Sequence, residues 1–277
     1  MSQKWIIQNN LINQNDLKKL KTACKLNSVN YKTIKVIPFL DKIPSFPKDE
    51  GYHIYYGSTT FITNVYKRRP RGIFFNDYFH MRAFNHNWKE RMLNYDCISS
   101  SLENFCKRNE NENSQWFIRP NADSKLFPGQ VLSFAEIKEW NNKIQESTTL
   151  GFDEILFSKP KIIEKEWRLI IVNRKVITSC LYRENFNLKI DRNDNPSNLW
   201  KFAEDCCQIY SPENVFVIDI ALIKNNYKII ECNCFNMSGF YDCDYDIIVK
   251  EVSQFMKNWV KSPPRYCSRI AKLRKVK

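Results

Sequence analysis

The sequence predicts the α/β fold class, with a parallel α/β unit followed by antiparallel hairpins. Residues 1–92 alternate short apolar strands with helical segments, and strands that alternate with helices form parallel sheets. Farther along, apolar strands are joined in pairs by short turns that contain asparagine, which favours antiparallel hairpins. The 277 residues are also enough for more than one domain.

These patterns divide the chain into three segments. We expect an N-terminal α/β domain at 1–92, a larger domain at 93–262 and a basic tail at 263–277. The larger domain is expected to have two lobes, at about 93–157 and about 158–262. Pro263 and Pro264 mark the end of the last helix, because proline cannot continue a helix.

The N-terminal segment contains four predicted strands, at 5–8, 32–37, 53–56 and 72–75. Asn15 is expected to cap a helix that follows the first strand and has apolar residues at helical spacing. Gly57 and Ser58 are expected to form a turn that opens the next helix.

The same patterns continue in the larger segment. Strands are predicted at 116–120, 155–158, 166–172 and 175–182, and in a hairpin over 215–233. A helix is predicted at 98–106, another begins at a capping box formed by Ser133 and Glu136, and a third follows Pro196. The final helix is predicted from an apolar stripe before the proline pair.

The hairpin VFVIDIALIKNNYKIIECN places Asp219 in an apolar strand, and Glu231 and Asn233 follow on the second strand. Three oxygen donors in an apolar setting favour a hard cation such as Mg²⁺, since an unpaired buried carboxylate is costly. Side chains alternate between faces, so these three share a face if the loop is odd. We therefore predict a three-residue loop between Lys224 and Tyr227. The alternative is an edge hairpin whose polar residues face water.

The hairpin around Asn173 and Arg174 carries a second set of polar residues. A two-residue turn there would place Arg168 opposite Ser179 and Glu166 opposite Leu181. Arg183 then falls on the same face as Glu166 and Arg168. Two arginines on one face could clamp a phosphate or carboxylate group, while the alternative is a solvated face with cross-strand salt bridges.

A further cationic segment lies between the N-terminal domain and these two hairpins. Arg119 closes a strand before Pro120, and Lys125 follows in a loop bounded by Gly129. Such a loop could cover a nucleotide, or it could be an ordinary exposed loop.

The charge and cysteine content narrow the function class. Forty-three basic and 30 acidic residues give a net charge of +13, which favours anionic partners or reflects a lysine-rich composition. Ten cysteines without a signal-peptide pattern indicate a reducing, cytoplasmic location, and no apolar run predicts a membrane span. Cys232 and Cys234 alternate with Glu231 and Asn233, so we expect them on the opposite, packed face rather than in a zinc site.

Taken in order, these segments resemble the ATP-grasp superfamily, and in particular the branch named for one arginine and two lysines. The resemblance is carried by FIRPNADSKLFPG, by EILFSKPKIIEKEWRLIIVNRKVITSCLYRE and by FVIDIALIKNNYKIIECN. IIQNNL and IYYGST are similar to the domain that precedes ATP-grasp in this branch. The resemblance implies an N-terminal pre-ATP-grasp domain and a two-lobed ATP-grasp domain with antiparallel sheets.

The resemblance also implies a role for each candidate residue. Asp219, Glu231 and Asn233 would hold one or two Mg²⁺ ions, for which Mn²⁺ could substitute, and Arg168 and Arg183 would stabilise the γ-phosphate and an acylphosphate. Residues expected to contact ATP are Arg119 and Lys125 at the phosphates, the backbone at Leu156, Phe157, Ser158 and Lys159 at the adenine, and Glu166.

The implied activity is an ATP-dependent carboxylate–amine ligase that forms an amide or peptide bond through an acylphosphate. Its partners would be ATP, a carboxylate and an amine acceptor, which could belong to a peptide or protein. Selection of these substrates is expected in the N-terminal domain and in the loops at 182–196 and 237–246. The alternatives are a non-catalytic nucleic-acid or polyanion-binding protein that uses the basic tail, and an ATP-binding pseudoenzyme or assembly factor.

Overall fold

The computed structural model describes residues 3–11, 13–37, 52–67, 71–121, 127–146 and 154–261. The first sheet contains β1 (Lys4–Gln8), β2 (Tyr31–Ile34) and β3 (His53–Tyr56), all parallel, in the order β2-β1-β3. Helices α1 (Gln14–Leu26) and α2 (Thr59–Tyr66) connect and cover it. The predicted parallel α/β unit is therefore confirmed.

Two local predictions in this unit are corrected. The side chain of Asn13, not Asn15, caps α1 by accepting hydrogen bonds from the backbone of Asn15 and Asp16. No strand forms at 72–75, because Gly72 adopts a φ of 86° where the chain crosses closely over β3. A Cβ atom at Gly72 would lie 1.9 Å from the carbonyl oxygen of His53, so only glycine fits there.

After α3 (Met81–Trp88), the chain builds a second sheet, which is antiparallel. Its strands are β4 (Ile98–Ser100), β5 (Gln115–Pro120), β6 (Gln130–Ser133) and β7 (Ile155–Ser158), in the order β4-β7-β5-β6. The helices α4 (Leu102–Cys106) and α5 (Phe134–Glu146) pack against it. The ring of Phe105 on α4 stacks on that of Phe157 at 3.6 Å, and Phe134 and Ile137 of α5 lie in the same core.

The helix predicted at 98–106 is only half right. Residues 98–100 form β4, and Ser101 then caps α4 by accepting a hydrogen bond from the backbone of Asn104. The capping box before α5 is confirmed, since Ser133 Oγ accepts from the Glu136 backbone at 3.2 Å and Glu136 accepts from the Ser133 backbone at 2.7 Å.

The third sheet is the centre of the molecule and is antiparallel throughout. Its strands are β8 (Lys165–Val172), β9 (Lys175–Glu184), β10 (Asn187–Asp191), β11 (Val215–Ile223) and β12 (Asn226–Cys234), in the order β10-β9-β8-β11-β12. Two-residue turns with positive φ join its hairpins, at 173–174, 185–186 and 224–225. Positive φ at both central residues is the type I′ geometry that suits the twist of paired strands.

Alternating side chains divide this sheet between two cores. Trp167, Leu169 and Ile171 face α6 (Ser197–Ile209), which begins after Pro196 as predicted. Ile170 and Val172 face the opposite way, toward α7 (Tyr245–Lys261) and the first sheet. Cys232 and Cys234 lie in the core beneath α6, so their expected position opposite Glu231 and Asn233 is confirmed.

Asn236, which follows β12, fixes the first sheet to the third. Its side chain is fully buried, and its amide nitrogen donates to the backbone oxygens of Tyr55 and Gly72. Its amide oxygen accepts from the Phe74 backbone at 2.7 Å. One side chain thus satisfies backbone groups from the N-terminal segment and holds them at the end of the hairpin that carries the candidate metal ligands.

Two sequence predictions fall on other parts of the chain. Lys125 and the basic tail at 263–277 both lie outside the described residues. Within the described ranges, no helix combines the length and the apolar character needed to cross a membrane.

Candidate functional site

The β11–β12 hairpin brings Asp219, Glu231 and Asn233 to one face, although not through the predicted loop. The loop is a two-residue turn at Lys224 and Asn225, so the three-residue prediction is wrong. A β-bulge shifts the register by one residue between the pairs that involve Asp219 and Ile220, and this places Asp219 directly opposite Glu231. The bulge supplies the odd residue that the loop lacks, so the face predicted for the three side chains is correct.

Asp219 is buried and paired with an arginine. Arg168 lies opposite it on β8 and donates from Nε to Oδ1 at 2.9 Å and from Nη2 to Oδ2 at 2.6 Å. Burial raises the pKa of Asp219 to about 6, although the charge and hydrogen bonds of Arg168 oppose this. The pKa of Arg168 is raised because Asp219 outweighs the effect of its burial.

Glu231 is paired with a different arginine, which comes from the second sheet. Arg119 on β5 approaches Glu231 Oε2 with its Nη2 at 2.9 Å, and Asn233 donates from Nδ2 to Glu231 Oε1 at 2.9 Å. Burial alone would raise the pKa of Glu231, but Arg119 and Asn233 lower it below its ordinary value. Arg119 Nε is buried and has no hydrogen-bond partner among the described residues, so this guanidinium can still donate to an anion.

The β8–β9 hairpin also reaches the predicted face by bulges. Its turn at Asn173 and Arg174 is the predicted one, but two register shifts follow. Arg168 therefore lies opposite Cys180 rather than Ser179, and Glu166 lies opposite Arg183 rather than Leu181. Two shifts of one residue restore the alternation, so Arg183 still shares a face with Glu166.

Glu166 links two side chains of β9. Its Oε2 accepts from the Tyr182 hydroxyl at 2.7 Å, and its Oε1 lies 3.4 Å from Arg183 Nη1. Glu166 is buried, whereas Arg183 is substantially exposed. Arg183 is therefore held loosely enough to turn toward a ligand.

A cavity of about 940 Å³ lies between the second and third sheets, and Arg168 and Asp219 are not among the residues of its wall. The polar residues of its wall are Asn94, Arg119, Gln130, Lys159, Lys161, Glu166, Tyr182, Arg183, Glu231 and Asn233. An apolar wall faces them, formed by Phe117, Phe127, Pro128, Val131, Ile162, Ile163, Phe186 and other residues. A large cleft with an apolar side and a few convergent charged groups has the character of a nucleotide or cofactor site.

The strand expected to meet the adenine, β7, ends just before the cavity, and none of its four residues is in the cavity wall. Leu156 and Phe157 pair with β5 on one side and with β4 on the other, and their side chains are buried in the core. Ser158 has a partner in β5 alone, and Lys159 to Ile163 then follow the cavity wall. Lys159 Nζ lies 3.5 Å from the centre of the Trp116 ring. The segment that can meet a ligand in the cavity therefore begins at Lys159.

A second cavity, of about 460 Å³, lies beside Arg168 and the N-terminal end of α1. Tyr182 lines the first cavity and Tyr241 lines the second, and their rings stack at 4.7 Å with an interplanar angle of 3°. The Arg168 guanidinium carbon lies 4.9 Å from the centre of the Tyr241 ring. This aromatic pair lies between the two cavities, and Arg168 lies against it.

The donor set fits a magnesium ion in chemical type. Two carboxylates and an amide oxygen are hard donors of the kind that Mg²⁺ uses beside phosphate. Each carboxylate is neutralised by an arginine, so a cation would have to share Asp219 with Arg168 and Glu231 with Arg119. Across the described ranges, no group of three or more His, Cys, Asp or Glu side chains is arranged to hold a metal ion.

Several residues of the site give no signal in the sequence. Sequence patterns predict neither β6, which brings Val131 to the cavity, nor β10 and the turn before it, which brings Phe186. In the sequence, nothing distinguishes Tyr182 from the other tyrosines, of which the chain has 13 in all. In the structure, the bulge at this position directs its hydroxyl to Glu166. Spacing rules cannot locate a bulge, because it interrupts the period on which they depend.

Comparison of the fold with solved structures gives matches over most of the chain. The structure of D-cycloserine synthetase DcsG has a TM-score of 0.60 at 7% identity and covers 92% of this chain and 100% of its own. D-alanine–D-alanine ligase from Bacillus anthracis has a TM-score of 0.56 at 12% identity, with 93% and 99% covered. The ATP-grasp ligase PsnB with a minimal precursor has a TM-score of 0.57 at 9% identity, with 92% and 100% covered. At such identities the likeness establishes the fold.

The comparison with curated proteins gives no match. The model of an ATP-grasp domain family, the second family of the clade named for one arginine and two lysines, matches residues 97–251, which is more than half of the chain. That range contains the second sheet, the third sheet and both arginine–carboxylate pairs. The chain therefore belongs to the ATP-grasp superfamily, in the second family of that arginine-and-two-lysine clade.

Proposed function

We propose that this protein is an ATP-dependent carboxylate–amine ligase that works through an acylphosphate. The observation that carries the proposal is the pair of Arg119 and Glu231 in the wall of the large cavity, with the Arg168–Asp219 pair directly beside it, because Asp219 lies opposite Glu231. Two arginines and two carboxylates from both lobes provide charge of both signs, for phosphate groups and for a cation.

ATP would lie along the large cavity. Its adenine would meet the wall that runs from Lys159 to Ile163, with Lys159 beside one ring edge, and the apolar side would cover its faces. Its phosphates would extend toward Arg119, whose unpartnered Nε and tethered Nη2 offer donors to the α- or β-phosphate. An ATP complex is known for the D-alanine–D-alanine ligase that shares this fold, which supports the choice of nucleotide.

Asp219, Glu231 and Asn233 would hold one or two Mg²⁺ ions, or Mn²⁺ in their place, and the metal would neutralise phosphate charge. The remaining roles in phosphoryl transfer fall to side chains of the protein. Arg168 and Arg183 would orient the γ-phosphoryl group and stabilise the charge that develops on its oxygens during transfer. Glu166 positions Arg183 through its carboxylate and holds Tyr182 at the cavity wall.

The chemistry requires no side-chain nucleophile. A carboxylate oxygen of the substrate attacks the γ-phosphorus, the bond to the bridging oxygen breaks, and ADP leaves. The nitrogen of the amine substrate then attacks the acyl carbon and displaces inorganic phosphate, and the amine gives up a proton as the amide forms. Both steps depend on positioning and charge neutralisation, which arginines in a partly closed cleft supply.

The role as a polyanion-binding protein has less support. The carboxylates of Asp219, Glu231 and Glu166 line or underlie the central cleft, and they would repel a nucleic acid in the absence of a cation. Family membership also favours a nucleotide site over an extended basic surface.

The proposal is tested by ADP release from Mg·ATP with pooled carboxylates and pooled amines, followed by mass spectrometry of the product. We expect ADP release that depends on both pools and a product mass equal to the sum of the two substrates less water. The Glu231→Gln variant should abolish this activity, while Glu184→Gln on the same sheet should retain it. ADP release that requires neither pool would overturn the ligase assignment. So would the absence of ADP release when Mg·ATP binds.

A further inference from the structure

The second cavity has a different chemical character from the nucleotide cavity. Its wall is formed by the N-terminal end of α1, by Ile190 of β10 and by the segment from Gly239 to Asp242. These are the N-terminal domain and the two loops in which the sequence places substrate selection. Arg168 is the residue that connects this cavity with the candidate metal carboxylates, since it contacts Asp219 and also donates from Nη1 to the Gly239 carbonyl at 2.8 Å.

The two acidic residues of the second cavity are not equivalent. Asp242 is already paired with Lys19 at 2.8 Å and with Arg192 at 3.0 Å. Asp16 has no ion pair in the described part of the chain, although it is half-buried at the cavity wall. Burial raises the pKa of the Asp16 carboxyl, and the Tyr245 hydroxyl and Lys19 offset this only in part. Asp16 is therefore a carboxylate whose charge would be better satisfied by a further cation.

Arg168 supplies the opposite charge at the inner wall of the cavity. Three of its N–H groups are used by Asp219 and by the Gly239 carbonyl. A guanidinium has five N–H donors, so two remain for an anionic group that enters the second cavity. A carboxylate there would be next to the groups that we assign to phosphoryl transfer.

We propose that the second cavity binds the carboxylate substrate of this enzyme and that this substrate carries an ammonium group, as an amino acid does. The ammonium lies at Asp16, and the carboxylate faces Arg168 and the γ-phosphoryl group. This inference rests on the proposed ligase activity for the fate of the carboxylate, while the recognition of the ammonium by Asp16 does not depend on catalysis.

The cavity disfavours other classes of ligand. A free phosphate or a polyanion would meet Asp16 as well as Arg168, and like charges at short range oppose binding. An acid without an amine would leave Asp16 with no cation among the described residues other than Lys19, which is already paired with Asp242. A volume of about 460 Å³ has ample room for an amino acid. The cavity is not tight at Gly239, since a Cβ there would approach nothing nearer than Asp16 Oδ2 at 3.9 Å.

The test compares amino acids with matched acids that lack the amine, in binding and in turnover. Saturation-transfer NMR on the full-length protein uses three pools: α-amino acids, ω-amino acids such as β-alanine, and des-amino or N-acetyl analogues of the same carbon skeletons. We expect binding by one of the two amino-acid pools and at least about tenfold weaker binding by the analogues, as expected for the loss of a charge-assisted hydrogen bond. Comparison of binding by the first two pools shows which spacing between ammonium and carboxylate the cavity accepts.

Asp16→Asn is the decisive variant, and Asp246→Asn is its matched control. Both residues are acids in the first turn of a helix, but Asp246 is exposed and lies outside the cavity wall. Asp16→Asn should weaken binding of the amino acid at least about tenfold, leave the analogues unchanged and leave the Kd of ATP unchanged. Asp246→Asn should change none of these, and thermal unfolding of both variants reports whether the fold is intact.

The outcomes separate this inference from the proposed function. If analogues without an amine bind or stimulate ADP release as well as amino acids, the ammonium site is wrong while the ligase activity stands. If amino acids bind through Asp16 but no carboxylate stimulates ADP release, the site stands and the ligase activity is wrong. If no amino acid binds, or if Asp16→Asn weakens analogues equally, the inference is overturned.

Discussion

Arg168 and Asp219 are direct cross-strand neighbours on β8 and β11, joined by hydrogen bonds of 2.9 and 2.6 Å to the two carboxylate oxygens. The pair is almost fully withdrawn from water, with side chains 13% and 3% exposed. In a buried pair of this kind each charge is neutralised by the other, so removal of one member leaves a buried charge that is not compensated. Its position at the boundary of the two cavities makes its disruption informative for both stability and function.

Removal of one member of this pair should destabilise the fold. Asp219→Asn leaves the Arg168 guanidinium without its counter-charge, and we expect the free energy of unfolding to fall by about 3–5 kcal/mol. Urea unfolding measures this loss. The double variant Arg168→Met with Asp219→Asn removes both charges, so no unpaired charge is left. Its loss of unfolding free energy should therefore be smaller than the sum of the losses in the two single variants. Additive losses would show that the pair contributes nothing as a pair.

Arg168 should affect turnover more than nucleotide binding. Arg168→Lys keeps a positive charge but cannot make the two-point contact, so we expect kcat to fall about a hundredfold while KM for ATP changes little. Steady-state kinetics separate the two parameters. Arg174→Lys in the exposed β8–β9 turn is the control and should behave as the parent protein. An equal loss of ATP affinity would instead give Arg168 a role in ground-state binding.

Glu231 should make nucleotide binding depend on a divalent cation. For Glu231→Gln we expect the affinity for Mg·ATP to fall by about tenfold or more, because a charged oxygen ligand is replaced by a neutral one. Affinity for ATP in EDTA should change little or rise, since Arg119 loses its partner and becomes free to contact phosphate. Calorimetric titration with and without Mg²⁺ makes the comparison. Equal losses in both conditions would remove Glu231 from the metal site.

Lys159 should contribute to affinity for the nucleotide and not to the chemical step. It lies at the cavity wall with its ammonium 3.5 Å from the centre of the Trp116 ring. Lys159→Ala removes this contact and the charge beside the proposed adenine end, so the Kd of ATP should rise severalfold at unchanged kcat. Lys189→Ala on β10 is an exposed control. A fall in kcat alone would place Lys159 nearer to the phosphates than we propose.

Asn236 should be required for the attachment of the first sheet. Asn236→Ala removes three hydrogen bonds and leaves backbone groups of Tyr55, Gly72 and Phe74 buried without them. We expect a loss of at least about 2 kcal/mol in the free energy of unfolding, because unsatisfied buried backbone groups are costly. Asn187→Ala, at an exposed position, should cost little. Hydrogen exchange of β3 then tells whether that sheet loosens first.

Most of the elements, and the faces they present, can be predicted from the order of residues alone. Apolar alternation placed Asp219, Glu231 and Asn233 on one face and Cys232 on the other, and helical spacing located α1, α5, α6 and α7. These features are local consequences of strand and helix periods, so inspection along the chain recovers them. The ordered motifs also pointed to the family that the comparisons show.

How those faces meet depends on packing between the sheets. A two-residue turn and a bulge brought Asp219 to Glu231 where the sequence suggested a longer loop, and two further bulges brought Arg183 to Glu166. Arg119 pairs with Glu231, and the Tyr182 ring stacks on that of Tyr241 between the two cavities. Both contacts join residues that lie far apart in the chain. Bulges and long-range pairs have no period along the sequence, so they become visible only in the folded chain.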